Sequence, residues 1–261
     1  MNFDAVLHLT MPATGSEQIA EILAALNPPA AVPLLSGPHL LGDDLLGPQD
    51  AECLRPGAAD AVAAALASLG AGKALVVLDA RRQDRLMEHA HLHAVRGGSV
   101  VPFAEQFPRA YEPVLDWQDL ADRVAAVPGV AEVLVRPVES FRARPELLAA
   151  DLLALAGMAE PAATAPVPTP PTFSARGVRV ARALNAHIRP EERVLVREFV
   201  AENFPGPPAG NQFLRPQTRA RILAAYAAVN RALFRTRLPE FVEDSYSDDA
   251  RTAALALRER A

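Results

Sequence analysis

Seven residues, Lys73-Ala-Leu-Val-Val-Leu-Asp79, constrain this chain more than any others. A short run of alanine, valine and leucine, bounded by charges and followed by a helical pattern over Gln83 to Val95, reads as a buried strand feeding a helix. The arrangement recurs. Asp4-Ala-Val-Leu-His-Leu-Thr10 is a second apolar run, stopping at Met11-Pro-Ala-Thr-Gly-Ser16, after which Ile19, Ile22, Leu23 and Leu26 fall at helical spacing. A strand is expected at Ala31 to Leu35, a helix at Ala58 to Leu69, a helix at Asp116 to Val127, a strand at Ala131 to Arg136 and a helix at Pro145 to Ala156. Short apolar strands alternating with helices predict an α/β fold, a mainly parallel sheet flanked by helices, with a helical C-terminal extension. Composition agrees: 52 of the 261 residues are alanine and only 5% are aromatic, which favours small-residue helices over an aromatic-rich sandwich.

The pattern divides the chain into an α/β core over 1–160, a proline-rich strap over 161–172 and a helical region over 173–261 packed on the core. Five prolines fall between Pro161 and Pro171, as in an extended linker or surface strap. Beyond it, helices are expected at Ala175 to His187, Pro190 to Asn203 and Pro216 to Arg237, with an amphipathic tail near Asp248 to Arg260 and a break at Pro205 to Gly210.

Charge and cysteine content exclude several classes. The formal net charge of −5 argues against a general nucleic-acid binder. The single cysteine, Cys53, excludes an internal disulfide framework and a cysteine-based zinc finger. Ala5 to Leu9 is too short for a signal peptide or a membrane span and has no basic flank, so a cytoplasmic protein is expected. All but one of the 26 basic residues are arginine, the exception being Lys73, which suggests a GC-rich coding sequence in which a needed positive charge survives as arginine. Between Ser174 and Arg237 there are 12 arginines and 4 acids, which fits an anion-facing lid as well as a solvated helix face.

Three constellations could carry chemistry. The loop Met11 to Ser16 joins a strand to a helix N-terminus, where free backbone N–H groups and the helix dipole attract phosphate or sulfate. Gly15 allows close backbone approach, and Thr14 and Ser16 add hydroxyls, although no Walker A pattern occurs in the chain. Arg81 and Arg82 follow the strongest strand, on the edge where open α/β sheets bind ligands, and their planar forks suit phosphate oxygens as well as a nearby acid. His89 and His93 are four apart, as two metal ligands on one helix face would be, but no cysteine assists them and no metal is expected. His8, inside the first strand, reads as a satisfied core histidine. His39, in a loop beside Asp43 and Asp44, is a weak acid/base candidate.

Together these stretches resemble the sulfotransferase family, in particular its bacterial branch with P-loop-like architecture. Leu7-His-Leu-Thr-Met-Pro-Ala-Thr-Gly-Ser16 is similar to the family's opening strand and loop, Val77-Leu-Asp-Ala-Arg-Arg-Gln-Asp84 to its L-R-R-Q-D segment, and Leu152-Leu-Ala-Leu-Ala-Gly157 to its D-F-L-x-x-L-G helix end. Leu184-Asn185 and Val229-Asn230-Arg231 match the L-N and N-R pairs of its C-terminal helices. The resemblance runs in order from about residue 3 to 238. It implies a nucleotide-binding core over 1–160, with 3′-phosphoadenosine-5′-phosphosulfate as the cosubstrate and sulfuryl transfer to a hydroxyl acceptor such as a carbohydrate. It implies that Thr14, Gly15 and Ser16 cradle the phosphosulfate, and that Arg81 or Arg82 holds the 3′-phosphate with His89 in the place of the family's serine. The chain departs from the family at Ala13, where the loop lysine would stand, at Glu17, at His89 and at Pro38, where a glutamate base would fall. Those departures make the alternative a catalytically silent member that binds a nucleotide, a glycan or a protein.

Overall fold

The computed structural model describes residues 3–10, 32–37, 57–141, 145–157, 173–206 and 213–238. Four strands, β1 (Ala5–Leu9), β2 (Leu34–Gly37), β3 (Ala74–Ala80) and β4 (Val130–Pro137), form one parallel sheet in the order β2-β1-β3-β4. The central strands β1 and β3 are buried along their whole length, which is why they read as unbroken apolar runs rather than alternating ones.

Helices α1 (Ala58–Leu69), α2 (Gln83–Arg96), α3 (Phe103–Gln106), α4 (Trp117–Ala125), α5 (Val138–Phe141) and α6 (Pro145–Leu155) belong to the first region. Helices α7 (Ala175–Asn185), α8 (Arg193–Asn203) and α9 (Pro216–Arg237) follow. Several of these helices have a local cause at one end. The alanine run of α1 stops at Gly70, whose φ of 62° takes the left-handed cap that glycine accepts without strain. Helix α4 starts at Asp116, whose side chain accepts from the backbone N–H groups of Gln118 and Asp119. Helix α7 starts at Ser174 in the same way, and α9 places Pro216 at its first turn.

Strand alternation sorts the two faces of the sheet. Leu7, Leu9, Val76 and Leu78 pack with Trp117, Leu120, Tyr226 and Phe234, so α4 and α9 share a core with the sheet. On the other face Val6, Leu75 and Val77 pack with Leu152 and Ala156 of α6 and its end. Leu92 and Val95 of α2 form a third cluster with Val178, Val196 and Val200 of α7 and α8.

The main difference from the sequence reading is β2. It begins at Leu34 and extends through Ser36 and Gly37. Pro33, having no N–H, can only accept, and its carbonyl takes the Val6 N–H at 2.9 Å. The helix expected from Pro190 to Asn203 divides into a 3₁₀ turn at Pro190–Glu192 and α8. The short helices α3 and α5 have no sequence periodicity to announce them. The helix after Ser16, the strap over 161–172 and the tail near Asp248 to Arg260 lie outside the described residues. No helix of the described residues is long and apolar enough to cross a membrane.

Candidate functional site on the carboxyl edge of the sheet

All four strands are parallel, so their carboxyl ends open on one edge, the edge where ligands bind in open α/β sheets. Register places Ser36 beside His8 and Arg136 beside Asp79, and all four residues lie on the same face by period two. A polar row therefore crosses the sheet near this edge. His8 Nδ1 lies 2.8 Å from Ser36 Oγ, and His8 Nε2 lies 2.9 Å from Asp79 Oδ2. His8 is thus a buried histidine with both ring nitrogens hydrogen bonded, as its place in the strand suggested. Asp79 Oδ1 is buried with no hydrogen-bond partner among the described residues. Burial holds the Arg136 guanidinium below its ordinary value, against the opposing pull of Asp151 and Asp79.

The β3–α2 junction holds Arg81 and Arg82, both buried. The Arg81 carbonyl accepts from Trp117 Nε1 at 2.7 Å, which ties this turn to α4. Arg81 Nη2 lies 2.9 Å from His89 Nε2, two turns along α2. A guanidinium only donates, so His89 Nε2 is the acceptor in this contact and its ring is neutral there. Arg82 points elsewhere: its Nε and Nη2 donate to Asp84 Oδ1 and Oδ2 at 2.6 and 2.9 Å, a bidentate fork filled by an internal carboxylate. The Arg82 backbone N–H donates to Glu139 Oε1 at 3.0 Å. Burial pushes the Glu139 carboxyl above the usual carboxylate range, although Arg81 and Arg82 pull it back.

Behind this turn lies an ionic cluster that the sequence did not announce. Asp84 also accepts from Arg219 Nη1, and Glu88 Oε1 accepts from Arg219 Nη2 at 2.8 Å and from the Leu214 N–H at 2.9 Å. Arg85 Nη1 lies 3.2 Å from Glu88 Oε2. Gln83 and Asn230 exchange two amide hydrogen bonds of 2.9 and 3.0 Å. Asn185 Nδ2 donates to the Val95 and Ser99 carbonyls at 2.7 and 3.1 Å, closing the end of α2. Several positions that carry the family resemblance, Gln83, Asp84, Asn185 and Asn230, therefore lock α7 and α9 onto α2. Much of the arginine excess is likewise used internally. Arg182 donates to the Val100 carbonyl, Arg193 to the Gly97 carbonyl, Arg237 pairs with Asp122, and Arg221 stacks on Tyr111.

The structure thus brings Arg81 and His89 together and turns Arg82 onto Asp84. His93 is exposed, and no group of three His, Cys, Asp or Glu side chains among the described residues could hold a metal ion. His91 is a core residue, hydrogen bonded to Gln106 at 2.7 Å and packed against Phe103 and Phe213, and burial lowers its pKa. Thr14, Gly15, Ser16 and His39 lie outside the described residues. The Ser36–His8–Asp79 chain escaped sequence reasoning because it depends on strand register. The available signal was a polar residue on the same face of three strands. No protein-family model matches the chain, and no curated protein or solved structure matches it.

Proposed function

We propose that this chain is a sulfotransferase-like protein that takes 3′-phosphoadenosine-5′-phosphosulfate on the carboxyl edge of its sheet and passes the sulfuryl group to a hydroxyl acceptor such as a carbohydrate. The observation that supports it best is the Arg81–His89 pair at the end of β3, with Nη2 and Nε2 2.9 Å apart. A guanidinium beside a neutral imidazole whose proton sits on Nδ1 is a donor set suited to a phosphate dianion. Arg81, whose Nη2 meets His89, is the arginine this reading assigns to the 3′-phosphate, and the fork of Arg82 holds Asp84. Burial of Glu139 beside them works against its ionised form, while Arg81 and Arg82 favour it. Thr14, Gly15 and Ser16 would hold the phosphosulfate, as the resemblance implies.

A second reading, binding without transfer, is favoured by Ala13 and Glu17. Losing one preorganised donor costs about 3–4 kcal/mol of transition-state stabilisation, and Ala13 supplies no cation where the family has lysine. Calorimetric titration with 3′-phosphoadenosine-5′-phosphate tests the shared part of both readings, with 5′-AMP as the control. Micromolar binding that requires the 3′-phosphate supports them, and no binding at millimolar nucleotide rejects them. Incubation of the protein with the labelled phosphosulfate and a panel of sugar acceptors then separates transfer from binding alone.

A further inference from the structure

The polar row contains an arrangement that nucleotide binding does not use. His8 Nε2 faces Asp79 Oδ2 at 2.9 Å, and both residues are buried. A carboxylate only accepts, so the ring carries its proton on Nε2. His8 Nδ1 is then the acceptor, and the Ser36 hydroxyl donates to it across 2.8 Å. The three side chains come from adjacent parallel strands, which fix their spacing through backbone pairing. Ser36 is the least buried of the three, at the carboxyl end of β2. A hydroxyl bonded to an imidazole that is oriented by a carboxylate is the general arrangement of an activated serine, recognised by geometry rather than by chain order. The attachment is reversed here, with Nδ1 toward the serine, and proton transfer through the ring needs only that the two nitrogens face the two partners.

We infer that Ser36 is a nucleophile toward acyl esters, with His8 as its general base and Asp79 as the positioning residue. In the step, Ser36 Oγ bonds to the ester carbonyl carbon while its proton passes to His8 Nδ1. The bond to the leaving alkoxide breaks as His8 returns that proton to it. Water then repeats both transfers, releasing the acid and restoring Ser36. This inference does not depend on the nucleotide reading, and either can fail without the other.

The test is covalent labelling of the full chain with a fluorophosphonate, in which a bond forms from Ser36 Oγ to phosphorus and fluoride leaves. Mass spectrometry of the labelled protein should place the adduct on Ser36. Ser36→Ala should abolish it, and His8→Asn should slow it about 10²-fold or more, the usual contribution of a general base. Asp79→Asn should slow labelling and change the shape of its pH profile, which a purely structural role would not do. Thermal melts check that each variant folds, and the wild-type result decides the matter should a variant not fold. No adduct on Ser36, or an adduct formed equally fast by heat-unfolded protein or by a folded Asp79→Asn variant, overturns the inference.

Discussion

Asp84→Asn is the substitution that most directly probes why the β3–α2 turn has its shape. Arg82, Arg85 and Arg219 meet Asp84 and Glu88 behind that turn, and both carboxylates are fully buried. Asp84 accepts both arms of Arg82 and one of Arg219. The asparagine removes one of two negative charges and turns an amide N–H₂ toward a guanidinium. Removing one partner of a buried ion pair costs about 3–5 kcal/mol, because the remaining charge stays out of water. For a chain of this size that is a fall of about 6–20 °C in Tm. Arg219→Met should cost less, about 1.5–3 kcal/mol for its charge-assisted bonds, since the four charges left behind balance. Urea unfolding followed by the emission of Trp117, the single tryptophan and a buried one, measures both. A cost under about 1 kcal/mol for Asp84→Asn, or a larger cost for Arg219→Met, would mean that the buried Asp84 charge does not hold this cluster together.

Three further outcomes are expected. Asn230→Ala leaves the buried Gln83 amide short of both its exchanged bonds and should cost about 1–3 kcal/mol in the same unfolding assay. Gly177→Ala should destabilise by about 1–3 kcal/mol despite its better helix propensity, because a Cβ there meets the Phe204 Cβ and carbonyl oxygen at 2.9 Å. Glu139 has its carboxyl pushed above its ordinary value of 4.5, so the folded state holds more protons than the unfolded one above that pH. Its contribution to stability is therefore present at low pH and is lost as pH rises through the raised value. Glu139→Gln should remove this loss, so that the variant gains on the wild type from about pH 4.5 upward in urea unfolding.

The elements legible in the sequence were those whose signal is local. The valine and leucine of β3 need no partner to be read as a buried strand. The alanine run of α1 and Pro216 at the start of α9 fixed those helices to the residue. Strand β2 starts three residues and ends two residues later than expected, because Pro33 carries the first pairing carbonyl without being part of the strand. The charge cluster was illegible for a different reason: Asp84 and Arg219 are 135 residues apart, and only packing brings α9 against α2. Arg81 and Arg82 look equivalent in sequence, yet the backbone sends one toward His89 and the other onto Asp84. Asn185 and Asn230 could be read as markers of a family, but their work as amide locks on α2 appears only when the helices are in place.

Under the proposed function Arg81 receives a 3′-phosphate on the carboxyl edge of the sheet. The most direct measurement is parallel calorimetric titration of wild type, Arg81→Met and His89→Ala with 3′-phosphoadenosine-5′-phosphate, each checked for folding by its melt. Micromolar binding is expected of the wild type, weakened about tenfold to a hundredfold by Arg81→Met, the loss expected for one charge-assisted contact. His89→Ala should weaken it in the same direction, and 5′-AMP should bind poorly to all three. Binding that is indifferent to Arg81, or equal for the two nucleotides, would contradict it.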